Sequence, residues 1–370
     1  MIGKKILLGF LIVVFYLLYL WLKAPGIYTY KFDEELVEKY KRSQDITYGV
    51  ENRIHISDND IYISAGYLYF KGEDPTQYNF QHPPFVKYLY GLSAVYLSNP
   101  YWVQIVFGIL TILLTYILGL KIFKNMFISA LASILLIFDP VFFEASSNAF
   151  LDLGQSFFAL LYLILFLYYP YKYMLQGLVL GLFFASKFWT GSLIFILILP
   201  IYKLIKKEKM DVKRILFSYA FASVVFISFY FKTYLERGRH FDIFFFEAKT
   251  IKFMLSHNSS ENIFGSLILF ITGYFNSWWN QEIIKSSVWS VLWPLGFLIS
   301  VIKIIKEKIS VVHLISIIPV IYLLSLVNQF PFTRYFVLFL PYLYLTISKF
   351  IYDLFFVLRN RQNYGKILRS

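Results

Sequence analysis

Long apolar segments recur along the whole sequence and constrain its fold more than any other feature. Ten of them lie at residues 6–22, 101–120, 127–143, 150–169, 174–186, 188–202, 215–231, 287–302, 311–327 and 335–357. A helix needs about 17 to 25 mostly apolar residues to cross a bilayer. With 58% hydrophobic and 21% aromatic residues, the chain has more apolar surface than a water-soluble domain buries. The sequence therefore predicts an all-α, polytopic integral membrane protein of about ten transmembrane helices.

The basic residues predict which side of the membrane each turn occupies. The net charge of +13 comes largely from short clusters beside apolar segments, which is typical of topology signals rather than of nucleic-acid binding. With a cytoplasmic N-terminus, the cytoplasmic turns contain Lys121, Lys124, Lys172, Lys203, Lys206, Lys207, Lys209, Lys213, Arg214, Lys303, Lys306 and Lys308. The opposite turns at 144–149 and 328–333 contain no Lys or Arg. We therefore expect a multi-pass cell-membrane protein with both termini in the cytoplasm.

Two long loops then lie outside the cytoplasm, at about 23–100 and about 232–286. Residues 33–42 place apolar side chains at helical spacing, which predicts a short amphipathic helix on the membrane surface. Residues 263–274 are apolar but too few to span a bilayer, which favours an interfacial or re-entrant helix. No internal repeat or low-complexity linker divides the sequence, so we expect residues 1–370 to form one domain. The absence of cysteine excludes thiol chemistry and cysteine metal sites.

Charged and polar residues from distant parts of the chain fall at the same outer level in this topology. They are Asp33, Glu34, His82, Asp139, Glu144, Asp152, Lys187 and Arg334. A lysine at the position of Lys187 costs about 2.5 to 3.5 kcal/mol if it lies in the apolar layer, so it needs a partner. Ionisable groups that converge at one membrane surface indicate a polar cavity that faces outward.

Each of these residues also has a purely structural interpretation. Asp33 fits the cap of the loop helix, and Asp139 before Pro140 fits a helix end. Asp152 fits a helix start in an apolar context. His82 lies before two prolines, and such a histidine is more often structural than a ligand. These alternatives stay open at the level of sequence.

Several motifs, in this order, resemble the C-type glycosyltransferase superfamily. They are Ala65 to Pro75 (AGYLYFKGEDP), His82 to Lys87 (HPPFVK), Phe150-Leu151-Asp152, Gly177 to Gly181 with Ala185 to Gly191 (GLVLG and ASKFWTG), Ser277-Trp278-Trp279 and Arg334-Tyr335-Phe336. The pattern is most similar to the protein O-mannosyltransferase and dolichyl-phosphate-mannose mannosyltransferase branch. The resemblance implies a C-type arrangement of the helices and transfer of a sugar, with inversion, from a polyprenyl-phosphate carrier to a hydroxyl-bearing acceptor outside the cytoplasm.

The resemblance also implies roles for individual residues. Asp33 would be the general base and Glu34 would orient the acceptor or a metal. Lys187 and Arg334 would bind the donor phosphate. His82, Asp139 and Asp152 would support the substrate or the structure. A divalent metal ion is left open, with Glu34 and His82 as candidate ligands.

The sequence departs from the family pattern at one position, and two other functions remain as alternatives. Mannosyltransferases carry an Arg shortly before the Leu-Asp motif, where this chain has Ser146-Ser147-Asn148, so mannose and a protein acceptor do not follow from the resemblance. A transporter or flippase of lipid-linked sugars is the main alternative. Transport would favour internal repeats and charged sites near the midplane of the membrane, and the sequence shows neither. A non-catalytic membrane scaffold is a third, and it would leave the cost of Lys187 unexplained.

Overall fold

The computed structural model describes residues 2–43, 54–187, 190–258, 263–277 and 282–367. Its α-helices are α1 (Ile2–Lys23), α2 (Gly26–Thr29), α3 (Glu35–Ser43), α4 (Asp58–Phe70), α5 (Phe85–Leu97), α6 (Trp102–Phe123), α7 (Met126–Ile137), α8 (Pro140–Ser147), α9 (Asp152–Tyr168), α10 (Tyr173–Ser186), α11 (Thr190–Ile205), α12 (Val212–Ser228), α13 (Phe231–Arg237), α14 (Ile243–Asn258), α15 (Gly265–Thr272), α16 (Leu292–Lys306), α17 (Val311–Ser325) and α18 (Leu340–Ile367). Two 3₁₀ helices lie at Gly238–His240 and Thr333–Leu338.

Each predicted apolar segment coincides with a helix or with a bent pair of helices. Helices α1 and α6 are long and apolar enough to cross a membrane, and α7 with α8 and α12 with α13 are bent pairs, with angles of 64° and 61°, that would bring the total to four. Other apolar helices, such as α9, α10 and α17, are shorter. The helical character is therefore confirmed, and two to four possible spans among the described residues support an integral membrane protein, while the number of ten spans stays a prediction.

Short polar sequences set the starts of several apolar helices. Asn125 precedes α7, and its side-chain oxygen accepts hydrogen bonds from the backbone N–H groups of Phe127 and Ile128, at 2.9 and 3.2 Å. Ser310 caps α17 in the same way through the N–H of His313, at 3.3 Å. Such caps satisfy the free N–H groups of the first turn.

The glycines of the GLVLG motif allow α10 to lie directly against α12. A Cβ atom at Gly177 would lie 2.6 Å from the carbonyl oxygen of Ser218, and one at Gly181 would lie 2.6 Å from that of Ala222. Small residues four apart permit this approach of two helix backbones inside a membrane. Because Lys187 directly follows α10, this close packing also restricts the position of Lys187.

The first outer loop is more ordered than its sequence indicates. Its described part contains α2 to α5, whereas the sequence predicts only a helix at 33–42, which corresponds to α3. Helices α4 and α5 pack so closely that a Cβ atom at Gly66 would lie 2.0 Å from the carbonyl oxygen of Lys87. Tyr90 on α5 donates a hydrogen bond to the carbonyl of Phe150, at 2.6 Å. The loop is thereby fixed to the turn before α9.

The second outer loop adds the one exception to an all-α fold among the described residues. The predicted apolar piece at 263–274 forms α15 and then enters a two-stranded antiparallel hairpin, β1 (Tyr274–Asn276) with β2 (Ile283–Lys285). The helix ends earlier than predicted because Gly273 has a φ of +81°, which ends α15 and directs the chain into the first strand.

Candidate active site

Two ion pairs join the ends of segments that are far apart in the sequence. Lys187, after α10, bonds to Asp152 at the start of α9. Arg334, in the 3₁₀ turn before α18, bonds to Asp58 at the start of α4. The Lys187 and Asp152 side chains are only 9% and 4% exposed. Lys187 therefore has the partner that its position requires, and that partner is the carboxylate of Asp152 rather than a donor phosphate.

Aromatic rings surround both cations. The Lys187 ammonium lies 4.4 Å from the centre of the Tyr335 ring. The Arg334 guanidinium lies 5.2 and 4.8 Å from the ring centres of Phe150 and Phe332. Ring faces attract cations and keep water away from them. Within the described residues, the Arg334 Nε hydrogen has no acceptor although it is buried, which leaves a charged donor available for a ligand.

A cavity of about 170 Å³ opens beside these groups. Lys187, Tyr335, Gln155 and His82 line its polar wall. Met254 and neighbouring apolar side chains of α14 line the other wall. The first outer loop therefore contributes His82, and the second contributes α14, to the same cavity. The sequence predicted two long loops on one side, and here both border one chamber.

His82 faces the cavity as an uncharged histidine. Burial, together with the nearby charges of Lys187, Lys87 and Arg334, holds the pKa of His82 well below its usual value of about 6.5. Its Nδ1 atom is buried and has no hydrogen-bond partner among the described residues. The ring packs edge to face against Tyr62, with 5.8 Å between the centroids. His82 can therefore offer a lone pair or an N–H group to a ligand.

Lys87 holds the chain around His82 in place. Its side chain is completely buried, and its ammonium donates to the carbonyl oxygens of Asn79 and His82, at 2.6 and 2.7 Å, and to the Tyr69 hydroxyl at 3.1 Å. Burial alone pushes the pKa of Lys87 well below its usual range. The HPPFVK motif thus has a structural reason, because its lysine fastens the backbone of its histidine.

Asp33 and Glu34 lie apart from the two ion pairs. Both are exposed, and an Asp33 oxygen accepts the N–H of Glu35 at 3.0 Å, as the cap of α3. Glu34 accepts a hydrogen bond from Tyr67, whose pKa is raised to about 12 by burial and by this carboxylate. Asp33 forms no ion pair with any residue that the structure describes.

Asp33 nevertheless lies near the start of α4. Burial, followed by the charges of Tyr101, Asp60 and Asp33, raises the pKa of Tyr30 to about 12, so both carboxylates act on the same hydroxyl group. Asp60 stands two residues after Asp58, the partner of Arg334. The acidic pair is thus at the border of the cluster that the sequence assigned to it, without touching its cations.

Asp139 has a structural position. One oxygen caps α8 through the N–H groups of Val141 and Phe142, both at 2.9 Å. The other accepts hydrogen bonds from Trp293 at 2.7 Å and Tyr344 at 2.5 Å. Because these four bonds fill its acceptor sites, Asp139 joins α8 to α16 and α18 rather than facing the cavity.

The two proposed metal ligands do not fit a shared metal. Glu34 is bound to Tyr67, whereas His82 lies among Lys187, Lys87 and Arg334. A surrounding of three cations disfavours a divalent metal at His82. In the described parts of the chain, no three His, Asp or Glu residues form a group that could hold a metal ion.

Sequence reasoning missed three groups of this site. Asp58 reads as an ordinary helix cap, because Ser57, Asp58 and Asp60 open α4. Gln155 and Tyr322, which line the cavity, lie in apolar helices and carry no motif. Only the position of Gln155, three residues after Asp152, hints at its location, since residues i and i+3 share a helix face. The motif residues Phe188, Trp189, Trp278 and Trp279 lie outside the described residues.

No family model matches the sequence, and no curated protein matches it either. Solved structures do match, among them two of the same protein. One is ArnT from Cupriavidus metallidurans bound to undecaprenyl phosphate, with a TM-score of 0.62, 14% identity, and coverage of 85% of this chain and 58% of that chain. The other is the same protein in the apo state, with a TM-score of 0.60, 14% identity, and coverage of 85% and 56%. This chain has the fold of ArnT.

The arrangement of the helices in this chain is therefore similar to that of ArnT. The match does not extend to the mannosyltransferase branch. The chain spans 58% of the length of ArnT. At 14% identity the likeness shows the fold alone, and the chemistry has to be argued from this chain's own residues.

Proposed function

We propose that this protein is an inverting membrane glycosyltransferase that takes a sugar from a polyprenyl-phosphate carrier. The observation that carries the proposal is the cavity lined by Lys187 and His82, where the His82 Nδ1 atom is buried without a hydrogen-bond partner among the described residues. The unpaired, buried Nε donor of Arg334 belongs to the residue next to Tyr335, which also lines this cavity. A buried polar atom without a partner needs an explanation, and a ligand in the cavity would provide one for these two. The ArnT structure, which has this fold, contains undecaprenyl phosphate.

Lys187 and Arg334 are proposed to bind the donor phosphate. The phosphate gains negative charge as the bond from the anomeric carbon to its oxygen breaks, and cations fixed in a water-poor site stabilise that charge strongly. Both cations now bind carboxylates. An ammonium has three donors and a guanidinium five, so each can keep its carboxylate and still reach a phosphate oxygen.

An apolar groove close by is proposed to hold the lipid chain of the donor. Its volume is about 390 Å³, and it is lined by Phe184, Leu193, Phe226 and Ile243. Phe184 lies three residues before Lys187. A chain of isoprene units in this groove would leave its phosphate at the level of the two cations.

Asp33 is proposed as the general base, with Glu34 orienting the acceptor. The acceptor oxygen attacks the anomeric carbon, its proton passes to the Asp33 carboxylate, and the polyprenyl phosphate leaves with the bonding electron pair. Because the structure places Asp33 outside the cavity, the acceptor would enter from the side of α3. Asp58 is a second candidate base, since it already lies against Arg334.

The finer assignments form part of the same proposal. The motif pattern makes a hexose of the mannose type the first donor to test, and a hydroxyl-bearing protein, lipid or polysaccharide the acceptor. Ten spans, a single domain over residues 1–370 and cytoplasmic termini would place the cavity outside the cytoplasm.

The test is covalent transfer in proteoliposomes that contain a labelled polyprenyl-phosphate sugar and a hydroxyl acceptor. The wild-type protein should transfer label, Asp33→Asn should reduce the rate by at least 100-fold, in line with the usual weight of a general base, and Glu35→Gln is the matched control. Glu35 is an adjacent, exposed acid that pairs with Lys39 at 3.0 Å, so its variant should stay active. A fully active Asp33→Asn protein would rule out Asp33, and inactivity of Asp58→Asn in the same assay would favour the second candidate.

The same liposomes separate the alternative functions. A transporter or flippase of lipid-linked sugars would move label across the bilayer without forming a new glycosidic bond. A scaffold would do neither. Label movement without transfer by the wild-type protein would replace the enzyme hypothesis with the transporter.

A further inference from the structure

A second cavity lies at the opposite end of the same helices. Its volume is about 860 Å³, and it is lined by the end of α9, the start of α10, the end of α11 and the segment from Glu208 to Ile215. The candidate active site uses the start of α9 and the end of α10. On α9 the two cavities are lined by Gln155 and Phe166, which are 11 residues apart, so they are separated by roughly 17 Å along the helix.

Lys203 is the most constrained residue of this second cavity. It is only 9% exposed, and its ammonium lies 4.6 Å from the centre of the Phe166 ring. Among the described residues no carboxylate lies within ion-pair distance of it, and Glu208, which pairs with Lys206, attracts its charge only from further away. A buried ammonium without an acidic partner is unfavourable, so an anion in the cavity would relieve the cost.

The other charges of the cavity leave a net positive lining. Glu208 pairs with Lys206 at 3.3 Å, and Asp211 pairs with Arg214 at 3.0 Å. Both acids are thus already bound, whereas Lys209 and Lys213 form no ion pair within the described residues. Lys203, Lys209 and Lys213 therefore attract an anion with little competition from carboxylates.

The surroundings of the cavity are apolar and exposed. Leu204, Val212 and Leu216 are 62%, 58% and 60% exposed. Val212 lines the cavity itself. Exposed apolar side chains beside a basic cavity suit a molecule that carries both an anionic head and a hydrocarbon chain. A small soluble anion would make no use of them.

We propose that this cavity binds the headgroup of an anionic phospholipid in the leaflet opposite the candidate active site. The phosphate would lie against Lys203 and Lys213, and the acyl chains would follow the exposed apolar faces of α11 and α12. The inference does not depend on the transferase function. Topology signalling accounts for the side on which these lysines lie, but it does not account for a buried Lys203 or for a cavity around it.

The test is native mass spectrometry of the full-length protein titrated with phosphatidylglycerol and, separately, with phosphatidylcholine. Lys203→Met and Lys213→Gln should each weaken phosphatidylglycerol binding about fivefold, the weight of one lysine at an anionic surface. Lys306→Gln is the matched control, because Lys306 is an exposed lysine at the end of α16 with no part in the cavity. Lys213 is exposed, so its variant also guards against a failure of the Lys203→Met protein to fold.

Three results would overturn the proposal. The first is equal affinity of the wild-type protein for the two lipids. The second is an equal loss of affinity in Lys306→Gln and the cavity variants. The third is displacement of phosphatidylglycerol by inorganic phosphate at the same concentration, which would indicate a soluble anion. Loss of sugar transfer with intact phosphatidylglycerol binding would count against the transferase alone, so the two proposals fail separately.

Discussion

Replacing Asp152 with Asn would leave the Lys187 ammonium buried without its carboxylate. The two side chains are 4% and 9% exposed, so water cannot replace the lost partner. Removing one member of a buried ion pair costs about 3 to 5 kcal/mol. We expect the lower end, about 3 kcal/mol, because the Tyr335 ring at 4.4 Å from the ammonium still stabilises the charge. That cost raises the unfolding equilibrium constant by roughly 150-fold.

The double variant Asp152→Asn/Lys187→Met separates this charge effect from packing. With both charges removed, no unpaired ion remains in the apolar interior, and replacing a buried pair by uncharged groups is often neutral. We expect the double variant to lie within about 1 kcal/mol of the wild type, while each single variant is destabilised.

Reversible unfolding in mixed detergent and SDS micelles, followed by tryptophan fluorescence, measures these free energies. The four proteins form a double-mutant cycle, with a coupling energy of about 2 kcal/mol or more expected for partners in direct contact. An Asp152→Asn protein as stable as the wild type, or a double variant as unstable as the sum of the single ones, would refute the buried pair.

Other parts of the structure give further predictions. Because the pKa of His82 is held below 6.5 in the folded protein, the unfolded chain binds a proton that the native one does not. This contribution of His82 to the free energy of unfolding is therefore fully present above about pH 6.5 and is lost as the pH falls below it. Between pH 7.5 and pH 5.5, His82→Asn should lose about 1 kcal/mol less unfolding free energy than the wild type. Asp139→Ala should cost about 3 kcal/mol or more in the same assay, because four buried hydrogen bonds are lost; stability within 1 kcal/mol of the wild type would contradict its structural role. Gly181→Leu should prevent α10 from packing against α12, since even a Cβ atom would lie 2.6 Å from the Ala222 carbonyl oxygen, and a normally folded variant by size-exclusion chromatography would argue against that contact. Single cysteines at Asn79 and Lys207, in a chain that has no cysteine, should react with an impermeant maleimide from opposite sides of the membrane; labelling from the same side would overturn the topology.

The helices themselves could be predicted from the sequence, because apolar length and flanking charge are local properties. All ten apolar segments coincide with helices or bent pairs. The sequence predicted a possible helix end at Asp139-Pro140 but not the bend of 64° between the two helices. The order inside the first outer loop was missed, because α4 and α5 are stabilised by their mutual contact at Gly66 and Gly91 rather than by an amphipathic pattern.

The site could be predicted in part. The expected topology predicted that Lys187, Arg334 and His82 converge, and in the structure Lys187, His82 and Tyr335, the neighbour of Arg334, line one cavity. The carboxylates that pair with Lys187 and Arg334 could not be predicted from the sequence. Asp58 lies 276 residues before Arg334, and no spacing rule relates a helix cap in a loop to an arginine near the last helix. Asp33 shows the limit of the family resemblance, which implies a role for this residue but not its position outside the residues that line the cavity.

The most direct test of the central claim is the equilibrium binding of undecaprenyl phosphate to the wild-type protein and to Asp152→Asn/Lys187→Met, measured by native mass spectrometry. The double variant is expected to stay folded, so it reports on the lipid phosphate rather than on stability. We predict that the wild-type protein binds the lipid and that the double variant binds it at least tenfold more weakly, in keeping with the loss of a charge-assisted hydrogen bond. Equal binding by the two proteins would contradict the assignment of Lys187, and with it the proposed donor site.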